Sequence, residues 1–398
     1  MKILFVTNLF PPEMRGGAER LVEALARAAV RAGHDVHVLT TTGRRVQGVE
    51  TSLCDGFSVH RFRPRLPYYL LDDARQPLWR RIAWHLQDLL WPTTDDVRRT
   101  IARIEPHLIF SHNLRGMGLA VTRALQKTRA PWAHTLHDVQ LLVPSGLQLA
   151  VKAPGMARLW QNPLVTRPYV WLVSRVFRAP DMVIGPTSYI VDVHKDAGLF
   201  VSSKMVVIEN PVARAWAGRR TQSHRPPKLL FVGQLEPHKG VLVLVEALRF
   251  LTVPVSVTIV GDGSQKDVVM ERALALPNRV NVSFVGAISH DEVLRLMIEH
   301  DMLVFPSLVV ENCPGVLLEA LSVGLPVIAS DVGGVRELVD ADALVPPGEP
   351  RALAQTIWQF TQRNVRLSPR KVLDADAYFA RVMVLMAGEV PYARRGQR

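Results

Sequence analysis

The chain has 398 residues, of which 48% are hydrophobic and 21% charged. This composition excludes a disordered or fibrous chain, and the length suits two domains of nearly equal size better than one core. The net charge of +12 and the pI of about 10.1 favour an anionic partner: a nucleic acid, an acidic polysaccharide or an anionic membrane surface. Because no nucleic-acid-binding motif accompanies the charge, we predict no nucleic-acid partner.

The cysteines and the apolar runs predict a cytoplasmic protein. Cys54 and Cys313 lie in different halves of the chain and indicate no disulfide framework, which favours a reducing compartment. The first apolar run begins at Ile3 and ends before Asn8, so it does not resemble a signal peptide. The longest apolar stretch, 241–260, contains charged residues and predicts a helix followed by a strand, so no membrane-spanning helix is expected.

The chain opens with the pattern of a Rossmann-like domain. An apolar strand over 2–7 leads to a glycine turn at Gly16 and Gly17, a helix over about 18–32 and a second strand over 35–41. Two adjacent glycines allow a ligand to approach the backbone closely. A structural turn without a ligand fits this fragment nearly as well.

Polar residues follow two of the later strands of this half. Further strands are predicted at 57–62, 107–111, 132–136, 182–185 and 206–208. His112 and Asn113 come directly after the fourth strand of the chain, and His137 and Asp138 follow the fifth. Because the carboxyl ends of parallel strands meet at one edge of the sheet, these side chains are expected to share a crevice. A hydrogen-bonded cap or turn role is the alternative for each histidine, and we favour it for His112.

Two stretches of the first half are amphipathic and basic. In residues 75–91 the apolar side chains fall on one helical stripe, and residues 157–178 mix tryptophan, tyrosine and phenylalanine with arginine. Helices that lie in a bilayer surface combine aromatic and basic residues in this way. The pattern predicts contact with an anionic membrane surface, and packing of the apolar stripes on the first domain is an equally good alternative.

A polar, basic stretch without periodicity, 213–227, predicts an interdomain linker, and the second half then repeats the alternation of strands and helices. Glycine turns follow its first two strands, at Gly233 and at Gly261. Strands are predicted at 228–232, 257–260, 282–286, 303–307, 326–330 and 344–345, and helices at 241–250, 290–299, 350–362 and 375–386. Ser289 is a good N-cap for the second of these helices.

The most informative stretch is 303–334, which predicts a strand, a loop, a helix beginning at Pro314 and a second strand. Glu311 lies in the loop, and Glu319 lies in the helix about 7 Å along its axis. Free amides at the helix start attract phosphate, here those of Gly315, Val316 and Leu317. A phosphate between two carboxylates that bind hydroxyl groups describes a nucleotide sugar, although two solvated glutamates flanking a helix would give the same spacing.

The surroundings make this spacing specific. Glu-x7-Glu stands between Pro306-Ser307 and Glu-Ala-Leu-x-x-Gly-x-Pro-Val-Ile-Ala-Ser, with Gly333-Gly334 after it. This arrangement resembles the donor site of retaining glycosyltransferases of family 4. The resemblance implies that Glu319 binds the ribose and Glu311 the transferred sugar. It also implies the GT-B fold, an α/β fold in which two Rossmann-like domains face each other across a cleft.

Other motifs in chain order match the same family. Gly261-Asp262-Gly263 resembles the loop beneath the donor, and the backbone around Gly286 corresponds to the place where the base is held. Gly233-Gln234-Leu235 followed by Lys239-Gly240 resembles a Gly-Arg-Leu and Lys-Gly pattern that neutralises the diphosphate, but Gln234 replaces the arginine. Lys239 would then carry more of the charge, or Arg15 would supply a cation.

The histidine motif also has a family counterpart. The Thr-Leu-His-Asp context resembles the position that contacts the transferred sugar and the acceptor, so we favour a functional role for His137. Catalytic roles are therefore predicted for Glu311, His137 and Lys239, and acceptor-side roles for His112, Asn113 and Asp138.

The resemblance implies domains at 1–212 (acceptor) and 228–370 (donor), joined by the linker 213–227, with 371–398 forming a helix that returns to the first domain. It implies a metal-independent retaining hexosyltransferase in cell-surface polysaccharide or glycolipid synthesis. A UDP- or GDP-linked sugar would be the co-substrate, with no cofactor, and a glycan or lipid-linked molecule the acceptor. The alternatives are a nucleotide-sugar 2-epimerase of the same fold and a non-catalytic nucleotide-sugar-binding protein, for which Gln234 is the suggestive feature.

Overall fold

The computed structural model describes residues 1–151, 161–212, 226–363 and 369–389. Contacts divide the chain into two compact units. The first comprises Met1–Gly146, Leu159–Ala213 and Leu373–Arg398, and the second comprises Leu147–Arg158 and Arg214–Val372. Most of the predicted linker, 213–225, the start of the second amphipathic stretch, 157–160, and the end of the chain, 390–398, lie outside the described residues.

The first unit is built on a sheet that is parallel except at one edge. Its strands are β1 (Lys2–Val6), β2 (Asp35–Thr41), β3 (Val49–Cys54), β4 (Phe57–Phe62), β5 (Leu108–Ser111), β6 (Trp132–Thr135), β7 (Met182–Gly185) and β8 (Lys204–Val207). Their order is β3-β4-β2-β1-β5-β6-β7-β8, and only β3 pairs antiparallel, with β4. No apolar pattern in the sequence predicts β3.

Helices cover both faces of this sheet, which explains why its central strands are apolar throughout. The helices are α1 (Gly17–Arg31), α2 (Leu78–Leu90), α3 (Asp95–Ile104), α4 (Val121–Lys127), α5 (Pro163–Val176) and α6 (Ser188–Asp196). One core layer includes Val22 and Leu25 of α1, and the opposite layer includes Ile101 of α3 and Val173 of α5.

The second unit is a parallel sheet with the strand order β11-β10-β9-β12-β13-β14. The strands are β9 (Lys228–Val232), β10 (Val255–Val260), β11 (Val280–Gly286), β12 (Met302–Phe305), β13 (Val327–Ser330) and β14 (Leu344–Val345). The helices are α7 (Val241–Phe250), α8 (Lys266–Leu274), α9 (His290–Glu299), α10 (Gly315–Ser322) and α11 (Pro350–Arg363). The order of the strands reverses between β9 and β12, and ligands of such sheets bind at the carboxyl ends of the strands beside this switch.

Residues 147–151 differ from the expected domain division, which placed all of 1–212 in the first domain. They belong to the second unit, because the Ala150 amide donates to the Leu308 carbonyl at 2.8 Å and the Val310 amide donates to the Gln148 carbonyl at 2.7 Å. These two hydrogen bonds form a short antiparallel bridge between Leu149 and Val309, in the loop after β12.

The last described helix, α12 (Ala375–Glu389), packs on α1 in the first unit. Arg31 of α1 pairs with Asp376 at 2.7 Å, and the Phe379 ring meets Phe110 of β5 edge to face. Tyr378, Phe379 and Val382 are buried in the core layer that also contains Leu25. In the described part of the chain, every helix falls short of the length and apolarity needed to cross a bilayer.

Candidate functional site

Three glycines meet at the carboxyl ends of neighbouring strands in the second unit. The Gly233 amide, just after β9, donates to the carbonyl of Val260 at 3.0 Å, and the Gly261 amide, just after β10, donates to that of Gly286 at 2.8 Å. A Cβ atom on Gly261 would lie 1.9 Å from the Gly233 carbonyl oxygen, and its φ of +136° is one that side-chain-bearing residues rarely adopt. The chain therefore requires glycine at position 261, and this edge of the sheet presents bare backbone.

The polar side chains of these loops have different surroundings. The Asp262 carboxylate accepts hydrogen bonds from the Gly263 amide at 2.8 Å and from Lys266 Nζ at 3.0 Å, so it closes its own loop onto α8. The Gln234 side chain is exposed at the end of β9. Both side chains are exposed, and that of Asp262 also supports the loop.

Lys239 and Glu311 are in direct contact. Lys239 Nζ lies 2.8 Å from Glu311 Oε1, and the Ser307 hydroxyl donates to the same oxygen at 3.0 Å. The side chains of the ion pair are largely buried, with exposed fractions of 26% for Lys239 and 16% for Glu311. The structure thus brings an ammonium group and a carboxylate, separated by 72 residues in sequence, into one polar cluster.

Two glycines fix this pair through the backbone. Gly240 adopts a φ of +69°, and a Cβ atom there would lie 1.9 Å from the Pro306 carbonyl oxygen, so the loop of Lys239 rests directly on the end of β12. On the other side, the Gly334 amide donates to the Glu311 carbonyl at 2.9 Å, and a Cβ atom on Gly333 would lie 2.3 Å from that oxygen. The loop of Glu311 is therefore held at its start, where Gly240 packs on Pro306, and at Glu311 itself, which contacts Gly333 and Gly334.

Helix α10 begins as predicted, with one correction. Pro314 is its N-cap residue, and the amides of Gly315 and Val316 make no hydrogen bond within the described residues. The Leu317 amide was predicted to be free but donates to the Pro314 carbonyl at 3.1 Å, because the first turn tightens into a three-residue repeat. Two amides, not three, remain at the helix start.

Glu319 faces a histidine that the sequence analysis did not assign to the site. Its Oε1 atom lies 3.7 Å from Nδ1 of His290, the first residue of α9. The side chains are 18% and 27% exposed, respectively. The pair joins the helix after β11 to the helix after β12.

The first unit carries a second polar group, at the ends of β5 and β6. His112 Nδ1 lies 2.9 Å from His137 Nε2, the Asn113 amide oxygen accepts from Gln140 Nε2 at 3.0 Å, and Asp138 accepts from the Gln140 amide at 2.7 Å. The structure thus brings together the four residues predicted at these strand ends, and Gln140 links two of them.

Burial shifts the titration of this group. His112 is 1% exposed, and burial holds its pKa well below the usual range; burial also lowers the pKa of His137 to about 4. Both imidazoles are therefore neutral at pH 7. Across the 2.9 Å contact, one of the two nitrogens carries a hydrogen and donates it to the other. Burial raises the pKa of Asp138 to about 6, and the hydrogen bond from Gln140 opposes that shift.

Gly16 and Gly17 lie exposed at the start of α1. The Gly16 amide donates to Glu19 Oε2 at 2.9 Å. Gly16 has a φ of −158°, and a Cβ atom on either residue would approach no described atom more closely than 3.9 Å. Within the described residues, neither conformation nor packing requires glycine at these two positions.

Family models match both halves of the chain. The model described as Glycosyltransferase Family 4 matches residues 15–216, and that described as Glycosyl transferases group 1 matches residues 215–375. The chain belongs to glycosyltransferase family 4.

Individual relatives agree with this membership. Glycogen synthase of Mycobacterium tuberculosis is 27% identical over 424 residues, covering 100% of this glycosyltransferase and 96% of the relative. The putative teichuronic acid biosynthesis glycosyltransferase TuaC of Bacillus subtilis is 23% identical over 389 residues, covering 92% and 90%. The structure of Anabaena HepE in complex with UDP superposes with a TM-score of 0.63 at 20% identity, covering 98% of this chain and 100% of HepE. The expected GT-B fold, with its two Rossmann-like domains, is confirmed.

Three polar residues of this glycosyltransferase escaped the site prediction. Ser307 precedes Glu311 by four residues, Gln140 follows Asp138 by two residues, and His290 begins the helix after the Gly286 loop. Each stands close in sequence to a predicted site residue or loop, which is the signal that could have identified it. Among the described residues, no group of three or more His, Cys, Asp or Glu side chains is arranged to hold a metal ion.

Proposed function

We propose that this protein is a retaining hexosyltransferase that uses a UDP- or GDP-linked sugar. The acceptor would be a glycan or lipid-linked molecule in cell-surface polysaccharide or glycolipid synthesis. The observation that carries the proposal is the contact of Lys239 with Glu311, three residues before the helix start whose amides remain available. The name of TuaC supports the polysaccharide class, and the UDP in the HepE structure supports a nucleotide donor.

The leaving group is the first chemical demand. Departure of a nucleoside diphosphate builds negative charge on its β-phosphate, which fixed donors stabilise best. The Lys239 ammonium has three N–H donors, and its bond to Glu311 leaves two for phosphate oxygens. The amides of Gly315 and Val316 add two donors, and Gln234 would donate one hydrogen bond without charge, so Lys239 carries the cationic part.

The sugar is the second demand. The β-phosphate is bonded to the anomeric oxygen, so a residue that binds phosphate and one that binds sugar hydroxyls must be neighbours. The 2.8 Å contact of Lys239 with Glu311 suits that junction. We assign Glu311 to hydroxyls of the transferred sugar, His137 to the sugar and the acceptor, and Glu319 to the ribose.

The remaining assignments follow the backbone. The bare edge formed by Gly233, Gly261 and Gly286 would accommodate the diphosphate and the base without side chains in the way. Gly16 and Gly17 would approach the donor phosphate, which accounts for glycines that the fold itself does not require. His112, Asn113 and Asp138 are assigned to the acceptor side. We propose no cofactor and no metal.

The test is sugar transfer by the purified protein. A thermal-shift panel of UDP-, GDP- and ADP-sugars identifies the donor, since a ligand at 100 times its dissociation constant stabilises by about 2.7 kcal/mol. Transfer from that donor to an acceptor panel should be abolished in Glu311→Ala. Donor binding without any turnover would favour a binding protein, and release of free sugar epimerised at C2 would favour the 2-epimerase.

The same proposal includes work at the cytoplasmic face of an anionic membrane, where a lipid-linked acceptor would lie. Helices α2 and α5 contact each other and expose large apolar side chains: Leu78, Trp79, Ile82, Leu86, Leu90, Leu164 and Trp171. Trp79 is 70% exposed and Leu164 84%. Leu89 of the predicted apolar stripe packs inward, as does Trp84, but the seven side chains named above remain at the surface.

The exposed charge on these two helices is positive. On α2 and α5, all of whose residues are described, the one acidic side chain is Asp88, which is buried and accepts from the amides of Gly116 and Gly118. Arg167 and Arg175 are exposed on α5, and the Arg175 guanidinium lies 4.9 Å from the Trp171 ring centroid. Exposed aromatics beside unopposed arginines favour the headgroups of anionic lipids.

Vesicle flotation tests this surface. Recovery should be higher with phosphatidylcholine mixed with phosphatidylglycerol than with phosphatidylcholine alone, and should fall in Trp79→Ser/Leu86→Ser/Leu90→Ser. Leu274→Ser, at a side chain that is 89% exposed on α8, is the matched control and should float like the wild type. Equal recovery on neutral and anionic vesicles, or none on either, contradicts the membrane contact.

A further inference from the structure

His290 is not needed to start the helix that it begins. The N-terminus of α9 is capped by its neighbours: the Glu292 amide donates to the Ser289 hydroxyl at 3.4 Å, and the Ser289 amide and hydroxyl donate to Glu292 Oε2 at 2.8 and 2.6 Å. This is a complete capping box. The imidazole of His290 takes no part in it.

The ring is also placed unfavourably for stability alone. Its Nε2 atom is buried and has no hydrogen-bond partner among the described residues. A buried nitrogen without a partner is destabilising, so the fold gains little from this orientation of the ring. The contact that the orientation does make is that of Nδ1 with Glu319 Oε1, at 3.7 Å.

The side-chain geometry of Glu319 gives this contact a purpose. The terminal torsion of a glutamate is broad, so the rotation of its carboxylate is limited by the groups that contact its oxygens. A carboxylate that accepts hydrogen bonds from two neighbouring ribose hydroxyls must keep its plane fixed. The contact of Oε1 with His290, which lies on a different helix, limits that rotation before the ligand arrives.

We propose that His290 is a positioning residue for the nucleotide end of the donor site, and that its Nδ1 atom orients the Glu319 carboxylate toward the ribose. This inference rests on the proposed nucleotide-sugar function. It assigns to His290 an effect on affinity for the nucleotide and none on the transfer step, because the ribose is remote from the reacting carbon.

Substitutions with side chains of different length distinguish the roles of the two ring nitrogens of His290. His290→Asn keeps an amide near the position of Nδ1, His290→Gln places one near Nε2, and His290→Ala removes both. The dissociation constants of UDP, GDP and ADP are measured by calorimetry, and kcat and KM with the donor that the wild type uses. Ser289→Ala is the control, since it weakens the helix cap without changing the contact with Glu319.

His290→Ala and His290→Gln should raise the dissociation constant of the preferred nucleotide about five-fold, as expected for one partly exposed contact with a charged group. His290→Asn should stay within about two-fold of the wild type, kcat should be unchanged in all three, and Ser289→Ala should lower the melting temperature only. In a Glu319→Ala background, His290→Ala should have no further effect on affinity.

Several results would overturn the assignment: unchanged affinity in His290→Ala, recovery by Gln instead of Asn, a loss confined to kcat, or additive effects of the two alanine substitutions. If the wild type itself binds none of the three nucleotides, the proposed function fails first. If it binds one and His290→Ala binds it equally well, only the role of His290 fails.

Discussion

Substitution of Gly261 by alanine should be far more damaging than substitution of Gly286, although both glycines end neighbouring strands and both have positive φ angles. At Gly261 the new Cβ atom would lie 1.9 Å from the Gly233 carbonyl oxygen, whereas real Cβ atoms stay at least 3.0 Å from such atoms. The two strand ends must therefore separate by about 1.1 Å. At Gly286, with a φ of +76°, no described atom lies within 4 Å of the new Cβ position.

The magnitudes follow from these contacts. Gly286→Ala costs only the left-handed conformation, about 1–2 kcal/mol. Gly261→Ala costs backbone strain of roughly 1–3 kcal/mol. It also strains the hydrogen bonds from Gly261 to Gly286 and from Gly233 to Val260, each worth about 0.5–1.5 kcal/mol. The sum for Gly261→Ala, roughly 2–6 kcal/mol, excludes the steric repulsion itself. The loss of stability in Gly261→Ala should therefore be at least about two-fold larger than in Gly286→Ala.

The assay is thermal unfolding of the two variants without ligand, followed by circular dichroism. A domain of this size loses roughly 2–4 °C per kcal/mol, so the unfolding transition of the second unit should fall by a few degrees in Gly286→Ala and by about 10 °C or more in Gly261→Ala. If the two variants melt together, the close approach of the strand ends does not constrain the protein as described, and the bare edge proposed for the diphosphate loses its support.

Three further predictions concern activity and pH. Lys239→Ala should lower kcat about 100-fold in a transfer assay, because one fixed donor to the leaving oxygen is lost. Lys195→Ala, at an exposed lysine, is the control and should keep wild-type turnover. Retention of about a tenth of the activity in Lys239→Ala would contradict the role. Transfer should survive EDTA, and a loss that added Mg²⁺ or Mn²⁺ restores would show a metal requirement. The free energy of unfolding, measured with urea, should fall as pH drops from about 6.5 to 4, because unfolded histidines bind protons there that buried ones resist. The pKa is lowered to about 4 for His60, His137 and His194 and to about 3 for His134, and these shifts outweigh the opposite contribution of Asp88 and Asp138, whose pKa values are raised to about 6. A flat profile would argue against the lowered histidine pKa values.

The alternation of strands and helices was predictable because strands buried on both faces are apolar runs of four to seven residues followed by glycine turns or polar caps. The strand β3 was missed because five of its six residues are exposed and carry no apolar pattern. Its partner is fixed instead by the turn at Asp55-Gly56, where both φ angles are positive. An Asp-Gly pair is the usual signal of such a hairpin, and it was present in the sequence.

The positions of the site residues along the chain were predictable, but their partners were not. Glu311 and Glu319 were located by motif, whereas the contacts with Lys239 and His290 depend on how separate loops meet. The engaged amide of Leu317 depends on the tightness of one helical turn, which sequence spacing does not specify. The same is true of 147–151, which pair with residues 308–310.

The packing of α12 on the first unit determines how this protein can be taken apart. A fragment that ends at Val212 would lack the partners that cover Leu25 and Phe110, because Tyr378, Phe379 and Val382 fill that core from the far end of the chain. Cutting the gene once therefore cannot release an intact amino-terminal half. An engineer who wants that half alone must join residues 373–389 back to it, for instance by circular permutation.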